Sequence, residues 1–275
     1  MDYSDLKFEL TDGVALITLN RPEEMNTFSF RMGVELEDVY RRCDEDDSVR
    51  AVVLTGAGVA FCAGADMSAG ADTFASRADR PEFSSSPLAI RAWEVRKPVI
   101  AALNGHAIGI GLTLALQCDL RFVARDARYG VLQVRRGVIP DCEAHWTLPR
   151  LVGTAKAADI LLTGRKFGGD EAVSLGIASR CLEAEEVLPA ALEAARDIAT
   201  WTAPLSVGIS KKLLWQSTSL APDEVERYET YFHHHLMGSA DSAEGVMAFL
   251  ERREPDWKGR VSRDWPDWPE PDGAR

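Results

Sequence analysis

Two short stretches of small residues are the part of this chain best suited to chemistry. They are Ala63-Gly64-Ala65-Asp66, after Phe61-Cys62, and Asn104-Gly105-His106-Ala107-Ile108-Gly109-Ile110-Gly111. Each follows an apolar run that reads as a buried strand, residues 51–55 before the first and 98–103 before the second. Small residues at such turns let the backbone approach a ligand closely, and free N–H groups at a helix start can face a developing negative charge. The second stretch runs into residues 112–117, which can continue as that helix. Two such turns converging on one carbonyl oxygen would make an oxyanion hole, the device that stabilises enolates and tetrahedral intermediates of acyl compounds.

The elements that must hold these turns can be read around them. Residues 8–20 read as two strands about a turn at Asp12-Gly13. Ser29 suits the N-cap of a helix to about residue 42, with Met32, Leu36, Val39, Tyr40 and Cys43 on one face. A strand follows over 49–55, and strands separated by helices suggest an α/β core with right-handed crossovers. Residues 68–87 are small, polar and proline-broken, a loop long enough to be functional. From residue 186 the pattern is helical, over 187–200, 203–216, 223–237 and 242–252, with Pro204 and Pro222 near helix starts. This divides the chain into a core over 1–195 and a helical region with its tail over 196–275. Trp257, Trp265 and Trp268 in that tail are costly to expose together and are expected to pack on a subunit surface.

The 275 residues carry a net charge of −12, which argues against nucleic acid or an anionic membrane as the main partner. Five cysteines, Cys43, Cys62, Cys118, Cys142 and Cys181, stand at no metal-ligand spacing and give no disulfide framework, so reduced thiols in the cytoplasm are expected. His233-His234-His235 runs around a helix and cannot present three ligands on one face, so no metal site is expected. No signal peptide is expected at Met1-Asp2-Tyr3-Ser4-Asp5, and no apolar run approaches the roughly 20 residues that span a bilayer.

The two turns occur in order with Leu19-Asn20-Arg21-Pro22-Glu23-Glu24-Met25-Asn26, Lys97-Pro98-Val99-Ile100-Ala101-Ala102-Leu103, Gln117-Cys118-Asp119-Leu120, Leu148-Pro149-Arg150-Leu151-Val152-Gly153, Leu162-Thr163-Gly164-Arg165 and Leu175-Gly176-Ile177-Ala178. Together they resemble the crotonase, or enoyl-CoA hydratase/isomerase, family over most of the chain. The resemblance implies a spiral of ββα turns followed by an α-helical trimerisation region, assembling as a trimer or hexamer. It implies an acyl-CoA thioester as partner and no separate cofactor, since CoA belongs to the substrate. Matched position by position, the oxyanion donors are the backbone N–H groups of Ala63 and Ile110, the latter where the family commonly has glycine. Ala63, Gly64, Ala65 and Asp66 then lie near CoA, with Arg21 near phosphate. Phe249 and Arg252 match an aromatic-plus-basic pattern that completes the site from a neighbouring subunit, and residues 68–87 cover the acyl pocket.

One departure stands out. Hydratases of the family use two glutamates, and their positions fall on Thr113 and Gln133, neither of which titrates near neutral pH. Asp141 falls where some members carry an active carboxylate, a glutamate base in some enoyl-CoA isomerases and an aspartate in dienoyl-CoA isomerases. A single carboxylate in an apolar pocket can take a C2 proton and return it at C4. Glu143 is a second candidate, and Trp146 with His145 can line the acyl tunnel, whereas His106 reads as structural. The expectation is therefore an acyl-CoA enzyme that stabilises a thioester enolate and shifts a double bond. The alternatives are an enoyl-CoA hydratase with an atypical site, or an acyl-CoA-binding protein without catalysis.

Overall fold

Asp12 and Gly13 both take positive φ, 50° and 78°, and close a two-residue hairpin between β1 (Leu6–Thr11) and β2 (Val14–Leu19). The computed structural model describes residues 3–75 and 84–269. Ser29 caps α1 (Phe30–Glu45) by accepting the Met32 N–H at 2.9 Å. Met32, Leu36, Val39, Tyr40 and Cys43 are buried on one face of that helix, as their spacing predicts.

Beyond α1 the chain repeats one manoeuvre. β3 (Ala51–Gly56) is buried throughout, as a parallel strand covered on both faces must be. β4 (Ala60–Cys62) then leaves its plane to begin a second sheet. β5 (Val99–Leu103) is followed in the same way by β6 (His106–Ile108) and the short α2 (Ile110–Ala115), and β7 (Leu120–Ala124) by β8 (Tyr129–Gly130). Helices α3 (Ala144–Val152), α4 (Thr154–Thr163) and α5 (Gly169–Leu175) lead to β9 (Arg180–Leu182) at the edge of the larger sheet. The strand orders are β1-β2-β3-β5-β7-β9 and β4-β6-β8, and only β1 with β2 is antiparallel. Each turn thus gives one strand to each sheet.

α6 (Ala184–Trp201) lays Val187, Ala191, Ala195 and Ala199, four residues apart, into the main core. The seam expected at 195/196 therefore falls inside a helix. A separate apolar cluster begins at Leu205 of α7 (Pro204–Ser217), with Ile209, Leu213, and Tyr228 and Phe232 of α8 (Pro222–Leu236). α9 (Ala240–Glu251) and the four-residue α10 (Val261–Asp264) complete the elements. The tail that follows α9 is fastened to its own chain. Trp257 Nε1 donates to Thr200 O at 2.9 Å, Arg96 lies over the Trp265 ring, and Trp268 sits 4.4 Å from the Phe232 ring centroid. The three tryptophans are thus half-buried without a second subunit.

All five cysteines are free thiols. Among the described residues no helix is long and apolar enough to cross a membrane, and no cluster of acidic, histidine or cysteine side chains could hold a metal. Of the segment expected to cover the acyl pocket, residues 76–83 lie outside the described residues.

Candidate active site

The two small-residue turns meet. A Cβ built on Gly111 would collide with Cys62 O, and one on Gly64 would lie 3.2 Å from Ile108 O, so the start of α2 rests directly on the end of β4. Gly109, at φ 56°, donates its N–H to Gly130 O at 2.8 Å and turns the chain into the helix. Ile110 is the first helical residue, where an N–H has no intrahelical acceptor, and among the described residues it has no other.

The partner of Ile110 is not the one the sequence suggests. The Ala63 N–H is already bonded to Met25 O at 3.0 Å. Gly64 (φ 112°) then turns the backbone, its carbonyl accepts from Phe28 N, and Asp66 N donates to Phe28 O. Ala65, between those two bonds, has an N–H with no acceptor among the described residues. The available donors are therefore Ala65 and Ile110, and Ala63 is corrected to a structural position.

Asp141 follows Pro140 on the loop ahead of α3, and its carboxylate is held by Thr113 and Gln133. Thr113 Oγ1 donates to Asp141 Oδ1 at 2.7 Å, and Gln133 Nε2 donates to the same oxygen at 3.0 Å. Burial raises the Asp141 carboxyl above its ordinary value of 3.8, opposed by these two hydrogen bonds. Thr113 Oγ1 also lies 3.2 Å from Ile110 O, a second acceptor for its proton. Gln133 Oε1 is buried and has no partner among the described residues.

A carboxyl whose folded-state pKa is raised binds its proton more readily in the folded chain. Its contribution to stability is then fullest below the unfolded-state value and is lost as pH rises through the folded-state value. Asp141→Asn, which keeps an acceptor for both donors, is accordingly expected to melt no lower than the unmodified protein at pH 7. Any advantage should shrink as pH falls toward about 4, the unfolded-state value, and level off below it. Thermal melts across that range check this, and a variant less stable at pH 7 than at pH 4, relative to the unmodified protein, contradicts it.

Other expected site residues are placed elsewhere. Glu143 is not free to act in the pocket, because its carboxylate accepts from Arg91 at 3.1 Å and from Gln117 Nε2 at 2.9 Å. Trp146 packs in an aromatic stack with Trp93 and Trp215, ring centroids 5.1 and 5.7 Å away, and lines a cavity of about 620 Å³ that Asp141 does not border. Arg21 is paired with Asp66 at 3.0 Å and also holds Thr27 O, so it offers no free cation to a phosphate. Asp66 lies at about 2, held there by the Ser68 N–H and hydroxyl first and by Arg21 next. Phe249 and Arg252 lie at the end of α9, the ring 81% exposed beside exposed Val246 and Leu250. No hydrogen bond or ion pair among the described residues ties them to Asp141. His106 is structural, accepting Arg128 N through Nδ1. Arg91 and Gln117 escaped notice in the sequence, where nothing marks a partner 52 or 26 residues away.

Two sheets wound as a spiral, parallel but for β1 with β2, carry two turns with unpaired backbone N–H groups and one half-buried carboxylate held by Thr113 and Gln133, and define an α/β protein of the spiral class. The chain belongs to the enoyl-CoA hydratase/isomerase family, whose sequence model matches residues 9–260, and it has the crotonase fold. It is similar to a crystal structure of a probable enoyl-CoA hydratase/isomerase from Mycobacterium abscessus. The two are 53% identical with a TM-score of 0.89, over 93% of this chain and 99% of that one. It is 35% identical to a probable enoyl-CoA hydratase from Rhizobium meliloti, over 94% of this chain and 100% of the relative. It is 34% identical to the 1,2-epoxyphenylacetyl-CoA isomerase of Escherichia coli, over 90% and 96%.

Proposed function

We propose that this protein binds an acyl-CoA thioester, stabilises its enolate oxygen at the Ala65 and Ile110 N–H groups, and shifts a double bond with Asp141 as the single base. The observation that carries this reading is the cradle of Asp141. Its neighbours are a hydroxyl and an amide, both able to donate or to accept. When Asp141 is ionised, Thr113 and Gln133 donate to it. Once Asp141 has taken the C2 proton, the Thr113 proton can turn to Ile110 O, leaving Oγ1 to accept. A base that must hold a proton briefly and return it at C4 needs such neighbours. No group is consumed: the C2–H bond breaks, the double bond moves from C3–C4 to C2–C3, and a C4–H bond forms.

That the E. coli relative is named an isomerase of a CoA thioester supports this reading. The reading includes self-association as a trimer or hexamer, for which the exposed Phe249, Leu250 and Val246 on α9 supply an apolar face. The deciding experiment incubates the protein separately with matched 2-enoyl- and 3-enoyl-CoA esters and separates the products by mass and chromatography. An isomer of unchanged mass is expected. Addition of 18 mass units (one water) supports a hydratase, and tight binding without turnover supports a carrier.

A further inference from the structure

We propose that Glu143, with Arg91 and Gln117, is a positioning unit that sets the direction of Asp141. The inference rests on the reading of Asp141 as the base. It begins from a backbone anomaly. Cys142 and Glu143, directly after Asp141, both take positive φ, 47° and 52°, although neither is glycine. Side chains rarely adopt that conformation, and two in succession persist only where the surroundings hold them there.

What holds them is visible. Both oxygens of the Glu143 carboxylate are engaged, Oε1 by Arg91 Nε at 3.2 Å and Nη2 at 3.1 Å, and Oε2 by Gln117 Nε2 at 2.9 Å. Gln117 Nε2 also lies 3.4 Å from Cys142 O, and the Cys142 N–H donates to Ser85 O at 3.1 Å. Gln117 is buried, and both hydrogen bonds of its Nε2 go to this turn. The placement gives the arrangement its sense. Thr113 lies in α2 and Gln117 in the turn just beyond its end, and Asp141 and Glu143 stand two apart on the loop they face. Thr113 grips the carboxylate that reacts, and Gln117 grips the one that does not. Arg91 closes the unit from the segment that precedes β5. Glycine at 143 would satisfy the φ at no cost, yet could not be gripped. The unit therefore gives up backbone ease to fix where Asp141 points.

Glu143→Gly separates the two roles, because it relieves the backbone while removing the grip. The relieved φ offsets part of the lost grip on Arg91 and Gln117, so the variant is expected to remain folded at 25 °C, with kcat for a 3-enoyl-CoA ester lowered about 10- to 100-fold and KM within about twofold. Arg91→Ala should lower kcat in the same sense, and Arg91→Lys, which keeps the charge without the fork, should recover part of the loss. A residue that only stabilised the fold would lower the melting temperature and leave kcat of the folded fraction unchanged. Glu143→Gly with the kcat of the unmodified protein, or Arg91→Ala with none of the loss, overturns the inference. Should Glu143→Gly fail to fold, the Arg91 pair decides alone. Asp141→Asn turning over the ester at full rate overturns the underlying reading instead, so the two failures are distinct.

Discussion

Asp141→Asn is expected to lose roughly 10²- to 10⁴-fold of the double-bond shift while binding acyl-CoA as before. The amide keeps an oxygen for Thr113 and Gln133, which donate at 2.7 and 3.0 Å, so the loop and its hydrogen bonds survive. What it lacks is the ability to accept a proton from carbon at neutral pH. Burial holds the Asp141 carboxyl above its ordinary value, nearer to a working range for a base than a solvated aspartate would be. Initial rates with a 3-enoyl-CoA ester, alongside titration of the same ester by calorimetry, separate chemistry from binding. A full rate in the variant places the base elsewhere.

Ile110→Pro is expected to cost roughly 10²- to 10³-fold in kcat, the penalty typical of one lost oxyanion donor. Proline is tolerated at the first position of a helix, where its fixed φ fits and the missing N–H was unpaired within the helix. Ile110 holds that position in α2, and the Gly109 before it lies outside the helical region at φ 56° and ψ −124°. The substitution thus removes the proposed donor with little change to the helix. Ile110→Val, which trims the buried side chain but keeps the N–H, is the control and should stay near the unmodified rate. Equal rates for the two variants would mean that the enolate oxygen is not held at residue 110.

The features legible in the sequence were those carried by local pattern. Asp12-Gly13 and the cap at Ser29 stand where turn and capping chemistry place them, and the uninterrupted apolar runs became β3 and β5. The helices after residue 186 lie within a few residues of the expected bounds. The site was legible as a set of residues and less so as a geometry. Ala63 and Ala65 are identical in type, and only the turn at Gly64 decides which N–H is left unpaired. Glu143 looked like a free acid because Arg91, 52 residues away, is invisible as its partner until the chain is folded. Trp146 and the tail tryptophans carry no local signal of the rings that cover them.

The grip of Thr113 and Gln133 on one carboxylate oxygen has a consequence for how such a site can change over generations. A glutamate at either position would bring a second carboxylate to within hydrogen-bond distance of Asp141, where two like charges cannot both stay ionised. Positions 113, 133 and 141 are therefore not free to drift independently. An acid introduced at 113 or 133 with Asp141 retained would share a proton with it, and the pair would titrate as one unit. With a hydroxyl and an amide on either side of Asp141, this chain keeps a single charge at that point of the pocket.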